Sequence, residues 1–199
     1  MAIRDDKLKN KLLSCAVRHF AEKGYAATNL TEIAEETGVT RGPLYYYFTD
    51  KAGLYRACVQ CVIEQKKEAY SQILVEGKPI LDVLREDLSF CLTDGGLLGQ
   101  VGSGGKDEPD MTNERLAFSH WLFERKYQVF SAAKERGELP PSCDLSQLIT
   151  FLYIYYHGVI QVKNLYADYK GCSREMLDHS ADVFIDLVRR KFLNPEPAK

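Results

Sequence analysis

Apolar residues recur every three or four positions along nearly all of this 199-residue chain, and no stretch alternates apolar with polar side chains. A period of about 3.6 belongs to helices and a period of two to strands, so the pattern predicts an all-α protein. Glycine and proline then mark where the helices stop. The first helix is expected over about residues 5–23, with Leu8, Leu12, Cys15, Ala16 and Phe20 on one stripe and Gly24 as its stop. Thr28 or Asn29 caps a short second helix that Gly38 ends, and another short helix covers about 41–48. Asp50 caps a longer helix over about 51–74, and Gly77 and Pro79 precede a fifth over about 80–93. Residues 94–109, DGGLLGQVGSGGKDEP, read as a glycine-rich loop enclosing one helical turn. Helices over about 112–136, 144–169 and 173–193 bring the total to about nine.

The length allows a small domain fused to a larger one, and 45% hydrophobic with 27% charged residues is a globular balance. The net charge of −2 is unevenly spread: residues 1–56 carry +2 and the remainder −4. That asymmetry is modest and gives only weak support to an anionic partner at the N-terminal part. The first residues are charged and lack the apolar core of a signal peptide. The most apolar run, residues 151–162, contains His157 and is shorter than the roughly 20 residues a membrane span needs. The expectation is a cytoplasmic protein with no membrane partner, whose six cysteines are reduced thiols.

Residues 28–51, TNLTEIAEETGVTRGPLYYYFTDK, carry the functional signal. A helix-turn-helix needs two short helices crossing steeply around a tight turn. Ala34 permits the close contact, Gly38 the left-handed turn, and Val39 with Leu44 a shared miniature core. The second helix of such a pair aims its N-terminal side chains at base edges in the major groove. Here those are Thr40, Arg41, Gly42 and Pro43. Arg41 can donate two hydrogen bonds to guanine, a pairing worth about 1–3 kcal/mol of discrimination. Tyr45 and Tyr46 point roughly 100° apart on a helix, so both cannot be core. Tyr46 is assigned to a phosphate, Tyr45 to the groove edge or a phosphate, and Tyr47 with Phe48 inward. Lys51 and Thr28 are further phosphate anchors.

This segment resembles the tetracycline-repressor (TetR) family of bacterial transcription regulators. The family's hallmark is a glycine turn, a short basic helix, a Tyr-x-Tyr-Phe run and a lysine. Gly38, Val39, Thr40, Arg41, Gly42, Leu44, Tyr45, Tyr47, Phe48 and Lys51 supply it, preceded by Thr28, Ile33 and Ala34. Pro43 replaces a commoner small residue, and Tyr46 stands where histidine or another aromatic is frequent; both bear on which operator is read. The match covers about residues 8–55. Beyond it, the glycine-rich middle and GELPPSCDL leading into two long apolar helices resemble the family's regulatory domain. The resemblance implies a helix-turn-helix domain over residues 1–52 and a ligand-binding and dimerisation domain over 53–199. It also implies that the last two helices form a four-helix dimer interface, and that the protein is a repressor released by a small effector.

The regulatory half gives its own reasons for a homodimer. The helix over 144–169 has Leu148, Leu152, Tyr155, Val159 and Val162 on one face and Phe151, Ile154 and Gly158 on others. A helix apolar all round is buried all round, here by its own core and by a second subunit. The last helix carries two stripes, Met176/Val183/Leu187 and Leu177/Phe184/Val188, with the same implication. Two symmetric reading heads address a palindromic operator in double-stranded DNA. Leu116, His120, Phe123, Tyr127 and Phe130 share a stripe that is either packed aromatic core or part of an effector cavity. The cavity reading takes Phe90, Phe118, His120, Trp121, Tyr127, Tyr156, His157 and Gln161 as ligand-binding, for an apolar or aromatic effector.

Other constellations fail. Cys58-x-x-Cys61 lies within a helix and has no second pair, so no metal site is expected. The pair leaves open a thiol-based redox or electrophile sensor on the same scaffold. Some members of the family sense electrophiles through a Gly-Cys-Leu-Leu-Gly cysteine, but residues 95–99 read GGLLG, and Cys91 lies four positions earlier. Gly105-Lys106 lacks the remainder of a phosphate loop, no two histidines have His-x-x-x-His spacing, and no serine sits in a nucleophile elbow. With no paired acid and base, a helical enzyme or carrier is the weakest alternative; no catalytic residue and no cofactor is assigned.

Overall fold

Eight α-helices, a terminal π turn and no strand make up the described residues. The structure, a computed structural model, describes residues 2–94, 107–165 and 174–193. The helices are α1 (Ala2–Ala27), α2 (Leu30–Thr37), α3 (Arg41–Phe48), α4 (Lys51–Ile73), α5 (Ile80–Asp94), α6 (Thr112–Glu135), α7 (Leu145–Leu165) and α8 (Arg174–Val188), followed by the π turn Arg189–Leu193. This is the all-α architecture expected. Gly24 breaks α1 where the sequence places a stop, with φ 74° and ψ 170°. The ninth element, the helical turn expected within the glycine-rich loop, lies outside the described residues, as do Gly95 to Gly99, Gly105, Lys106 and Gly171. No described helix is long and apolar enough to cross a membrane.

The described residues fall into two packing units. Residues 2–67 and 107–118 form one, and residues 68–94, 119–165 and 174–193 the other. The α4 and α6 helices each contribute residues to both.

In the first unit Leu12, Ala16, Phe20, Ile33, Ala34, Leu44, Phe48, Leu54 and Val59 are buried together with Tyr55. Tyr55 meets Phe20 and Tyr25 edge-on, each with centroids 5.1 Å apart. Its hydroxyl donates to Glu108 Oε1, so the one polar atom of this buried ring is satisfied. Polar pairs then fix α1 to α2. Arg18 and His19 hold Glu36, Lys23 holds Glu32, and Lys11 Nζ donates to the Thr37 carbonyl at 2.9 Å. That last contact places a cation at the negative end of α2.

In the second unit Val83, Leu84, Leu88, Val129, Phe130, Leu148, Leu152, Phe184 and Val188 form the core. Lys126 and Asp87 are buried in it as an ion pair between α6 and α5, with Nζ 2.5 Å from Oδ2. The Lys126 ammonium also lies 4.7 Å from the centroid of the Tyr156 ring. Glu138 accepts from the Ile80 amide at 2.6 Å and so caps α5, and Asp144 caps α7 by accepting from the Gln147 amide. Between α7 and α8, Tyr155 stacks on Phe184 with centroids 3.6 Å apart and shares a 2.9 Å hydrogen bond with Ser180.

Candidate functional site

The turn between α2 and α3 is built as its residue types require. Asn29 Oδ1 accepts from the Thr31 amide at 2.9 Å and starts α2. Gly38 ends α2 in the left-handed region, φ 74° and ψ 29°, where a side chain would be strained. The Val39 amide still reaches back to the Ala34 carbonyl at 3.0 Å. Thr40, extended at φ −78° and ψ 171°, precedes α3 and makes no side-chain cap, so the first amides of α3 have no intramolecular side-chain acceptor from that residue. Leu44 and Phe48, four apart, are the buried anchors of α3.

The other face of α3 is open. Thr40, Arg41 and Gly42 are exposed and Pro43 is half-buried; Tyr45 is 48% and Tyr46 77% exposed. Arg41 folds back so that its guanidinium donates to Thr31 Oγ1 on α2. Tyr47 is half-buried and its ring meets both Tyr46 and Phe48.

Two of the expected DNA contacts serve the scaffold. Thr28 is buried, its hydroxyl donating to the Gly24 carbonyl at 2.7 Å and lying 3.2 Å from that of His19. Its side chain therefore closes the α1–α2 corner and has no free face for a phosphate. Lys51 is half-buried; Nζ donates to the Ala26 carbonyl at 3.0 Å and sits 4.7 Å over the Tyr25 ring. Burial lowers its pKa from the ordinary lysine value. These contacts join α4 to the end of α1.

Gly53 was not anticipated. A Cβ there would stand 2.1 Å from the Phe48 carbonyl oxygen, while the Gly53 amide donates to Asp50 Oδ1 at 2.6 Å. Only a glycine lets the first turn of α4 press against the last carbonyls of α3. An Asp-x-x-Gly spacing at a helix start was the available signal. Thr31, the partner of Arg41, had none.

The second unit contains an open cleft of about 230 Å³, lined by His120, Phe123, Lys126, Ile149, Thr150 and Tyr153 among others. Of the eight residues expected to bind a ligand, His120 alone lines it. Phe118 packs in the first unit. Phe90 meets the Tyr70 ring edge-on at 5.0 Å, and Tyr156 is buried beneath Lys126. Trp121 is half-buried; Tyr127, His157 and Gln161 are exposed. The His157 ring lies 4.2 Å from that of Tyr153. The expected set thus does not converge on one cavity, because the stripe on α6 passes different neighbours along its length.

The thiols do not favour a redox sensor. Cys58 and Cys91 are buried, and burial pushes the Cys58 thiol far above its ordinary pKa. Thiols of this kind are poor nucleophiles.

A short helix held by two core anchors, with a cationic and aromatic face turned to solvent behind a glycine turn, defines a helix-turn-helix DNA-binding module. Comparison with known proteins agrees. The profile of bacterial regulatory proteins of the tetR family matches residues 12–58. The chain is 30% identical over 164 residues to the HTH-type transcriptional repressor ComR of Escherichia coli (strain K12), covering 76% of this chain and 77% of that one. It is 23% identical to the HTH-type transcriptional regulator YfiR of Bacillus subtilis (strain 168), over 92% of each. The fold matches a TetR transcriptional regulator from Chloroflexus aurantiacus with a TM-score of 0.79 at 18% identity, covering 95% of this chain and 98% of that one. It also matches the SmeT–triclosan complex, with a TM-score of 0.72 at 17% identity over 97% and 99%. The chain belongs to the TetR family of transcriptional regulators, and is a DNA-binding regulator rather than an enzyme.

Proposed function

We propose that this protein is a repressor that binds a palindromic operator as a homodimer and is released by a small, largely apolar or aromatic effector. The observation that carries the reading is the solvent-facing surface of α3, where Arg41, Tyr45 and Tyr46 stand clear of the helix's own anchors. Thr40, Arg41, Gly42 and Pro43 meet base edges, while Tyr45 and Tyr46 reach the groove edge and phosphates. Thr28, at the α1–α2 corner, and Lys51, between α4 and the end of α1, serve the reading surface through the scaffold.

Dimerisation is supported by apolar side chains left uncovered on α7 and α8. Ile154 is 65% and Val183 56% exposed, with Met176, Leu187 and Val162 also open. Met176, Val183 and Leu187 recur at helical spacing, which makes a face rather than scattered residues. Repression is supported by the name of the Escherichia coli relative. Effector binding is supported by the cleft beside Lys126 and by the triclosan-bound structural relative.

The functional division is placed near residue 52, at the start of α4, with the regulatory part beyond it. A ligand that prefers one conformer of the cleft lowers operator affinity by its differential binding energy and by no more. Selection of bound sequences from a random DNA pool tests the reading. A recovered palindrome with half-sites about 34–36 Å apart is expected; enrichment of a single asymmetric site overturns the dimer. For the effector, a ligand that raises the melting temperature while operator binding persists argues against release.

A further inference from the structure

A cluster of metal-ligating side chains stands in the DNA-reading unit, away from the exposed face of α3. Cys15 and His19 lie one turn apart on α1, and Glu36 reaches them from the last turn of α2. One ligating atom from each lies within 4.8 Å of the other two. His19 Nε2 is 2.9 Å from Glu36 Oε2. Cys15 and His19 are buried while Glu36 closes the cluster on the solvent side.

A purely structural role explains part of this. His19 and Arg18 hold Glu36 and thereby join α1 to α2. That role does not require a buried thiol in the same group. Nor does it satisfy the other imidazole nitrogen, since buried Nδ1 has no hydrogen-bond partner. What Nδ1 does face is Glu32, whose Oε2 is 3.8 Å away. His19 thus has the Glu36 carboxylate at Nε2, the Glu32 carboxylate on the Nδ1 side and the Cys15 thiol in the same cluster; a carboxylate on the far nitrogen is what orients a histidine ligand once that nitrogen carries the proton.

We propose that Cys15, His19 and Glu36 bind a borderline divalent transition metal of the zinc or cobalt class, clasping α1 to α2. A thiolate, an imidazole and a carboxylate suit such an ion and disfavour magnesium or calcium, which prefer all-oxygen sets. Ligand bonds of about 2.0–2.3 Å in a tetrahedron set donors roughly 3.5 Å apart, so the cluster closes with shifts of about an ångström. Three protein ligands leave the fourth position to water. Binding releases the Cys15 proton to solvent, shifts the His19 ring proton from Nε2 to Nδ1 on the Glu32 side, so that the His19–Glu36 hydrogen bond gives way to the metal, and frees Glu36 from Arg18. The Arg18 guanidinium, which donates to Glu36 Oε1 and lies 4.0 Å from Cys15 Sγ, is the competitor for the site. It is about half exposed, with a side-chain exposure of 48%, and can turn outward.

Cobalt(II) titration of the untagged full chain tests this independently of any DNA result. One equivalent is expected to produce sulfur-to-cobalt charge-transfer absorption with four-coordinate visible bands, and zinc should displace it. Cys15→Ser should abolish the charge-transfer band, whereas the Cys58→Ser, Cys61→Ser double variant should retain it. Glu36 is exposed, so Glu36→Gln tests the site without threatening the core; a loss of at least about 10-fold in cobalt affinity is expected. Arg18→Gln should tighten binding by removing the competitor. Absence of the band in the unaltered protein, its survival in Cys15→Ser, or unchanged affinity in Glu36→Gln overturns the proposal.

Discussion

Arg41 and Lys51, ten residues apart, differ in what holds them, and the proposed reading assigns recognition to the first and support to the second. Arg41 is exposed and, among the described residues, donates to Thr31, so Arg41→Ala should change base preference in a bound-sequence selection and leave the melting temperature unaltered. Lys51 is tied to the Ala26 carbonyl and the Tyr25 ring. Lys51→Ala should therefore lose about 1 kcal/mol of stability, a fall of about 2–4 °C, and weaken all operators alike. Equal melting temperatures for the two variants contradict this division. Gly53→Ala forces a Cβ against the Phe48 carbonyl and should lose about 1–3 kcal/mol, read in denaturant melts. Glu36 responds to acid: hydrogen bonding from His19, with the charge of Arg18, holds its carboxyl below the ordinary glutamate pKa. A carboxyl lowered on folding stabilises the native state above its unfolded pKa and loses that contribution as pH falls through the folded one. Glu36→Gln should accordingly flatten the acid limb of a stability–pH profile. An unchanged limb counts against the α1–α2 pin.

At the scale of elements, a buried ion pair joins α5 to α6. Removing one partner of a buried pair strands the other charge and costs about 3–5 kcal/mol, whereas replacing both by apolar residues is near neutral. Asp87→Asn is thus expected to be far more destabilising in thermal melts than the Asp87→Leu, Lys126→Met double variant; the reverse order would show that the charges themselves hold α5 to α6. How much of these elements the sequence revealed depends on how local the cause is. The α2–turn–α3 unit was legible because Asn29, Gly38 and the Leu44/Phe48 spacing act within a few residues of one another. Gly53 was missed because its neighbour is a carbonyl whose approach depends on the angle between α3 and α4. The α6 stripe misled for a related reason. Periodicity placed Leu116, His120, Tyr127 and Phe130 on one face, yet Leu116 is 51% and Tyr127 41% exposed while Phe130 is fully buried. A long helix keeps its period but changes its neighbours, and the sequence does not name them. Lys126 escaped notice because a lysine is expected at the surface.

Across the whole molecule, the uncovered face of α7 and α8 sets the expected assembly state. Ile154→Glu with Val183→Glu should convert a dimer to a monomer in light scattering and abolish palindrome binding while the helix content remains. A dimer that survives both changes would place the subunit contact elsewhere. The architecture of α3 carries a further consequence for how regulators of this design diversify. Its grip on the protein runs through Leu44 and Phe48, and none of its outward side chains at positions 40, 41, 45 and 46 belongs to that grip. On the proposed reading, the address can therefore be rewritten by exchanging those few side chains while the helix keeps its seat.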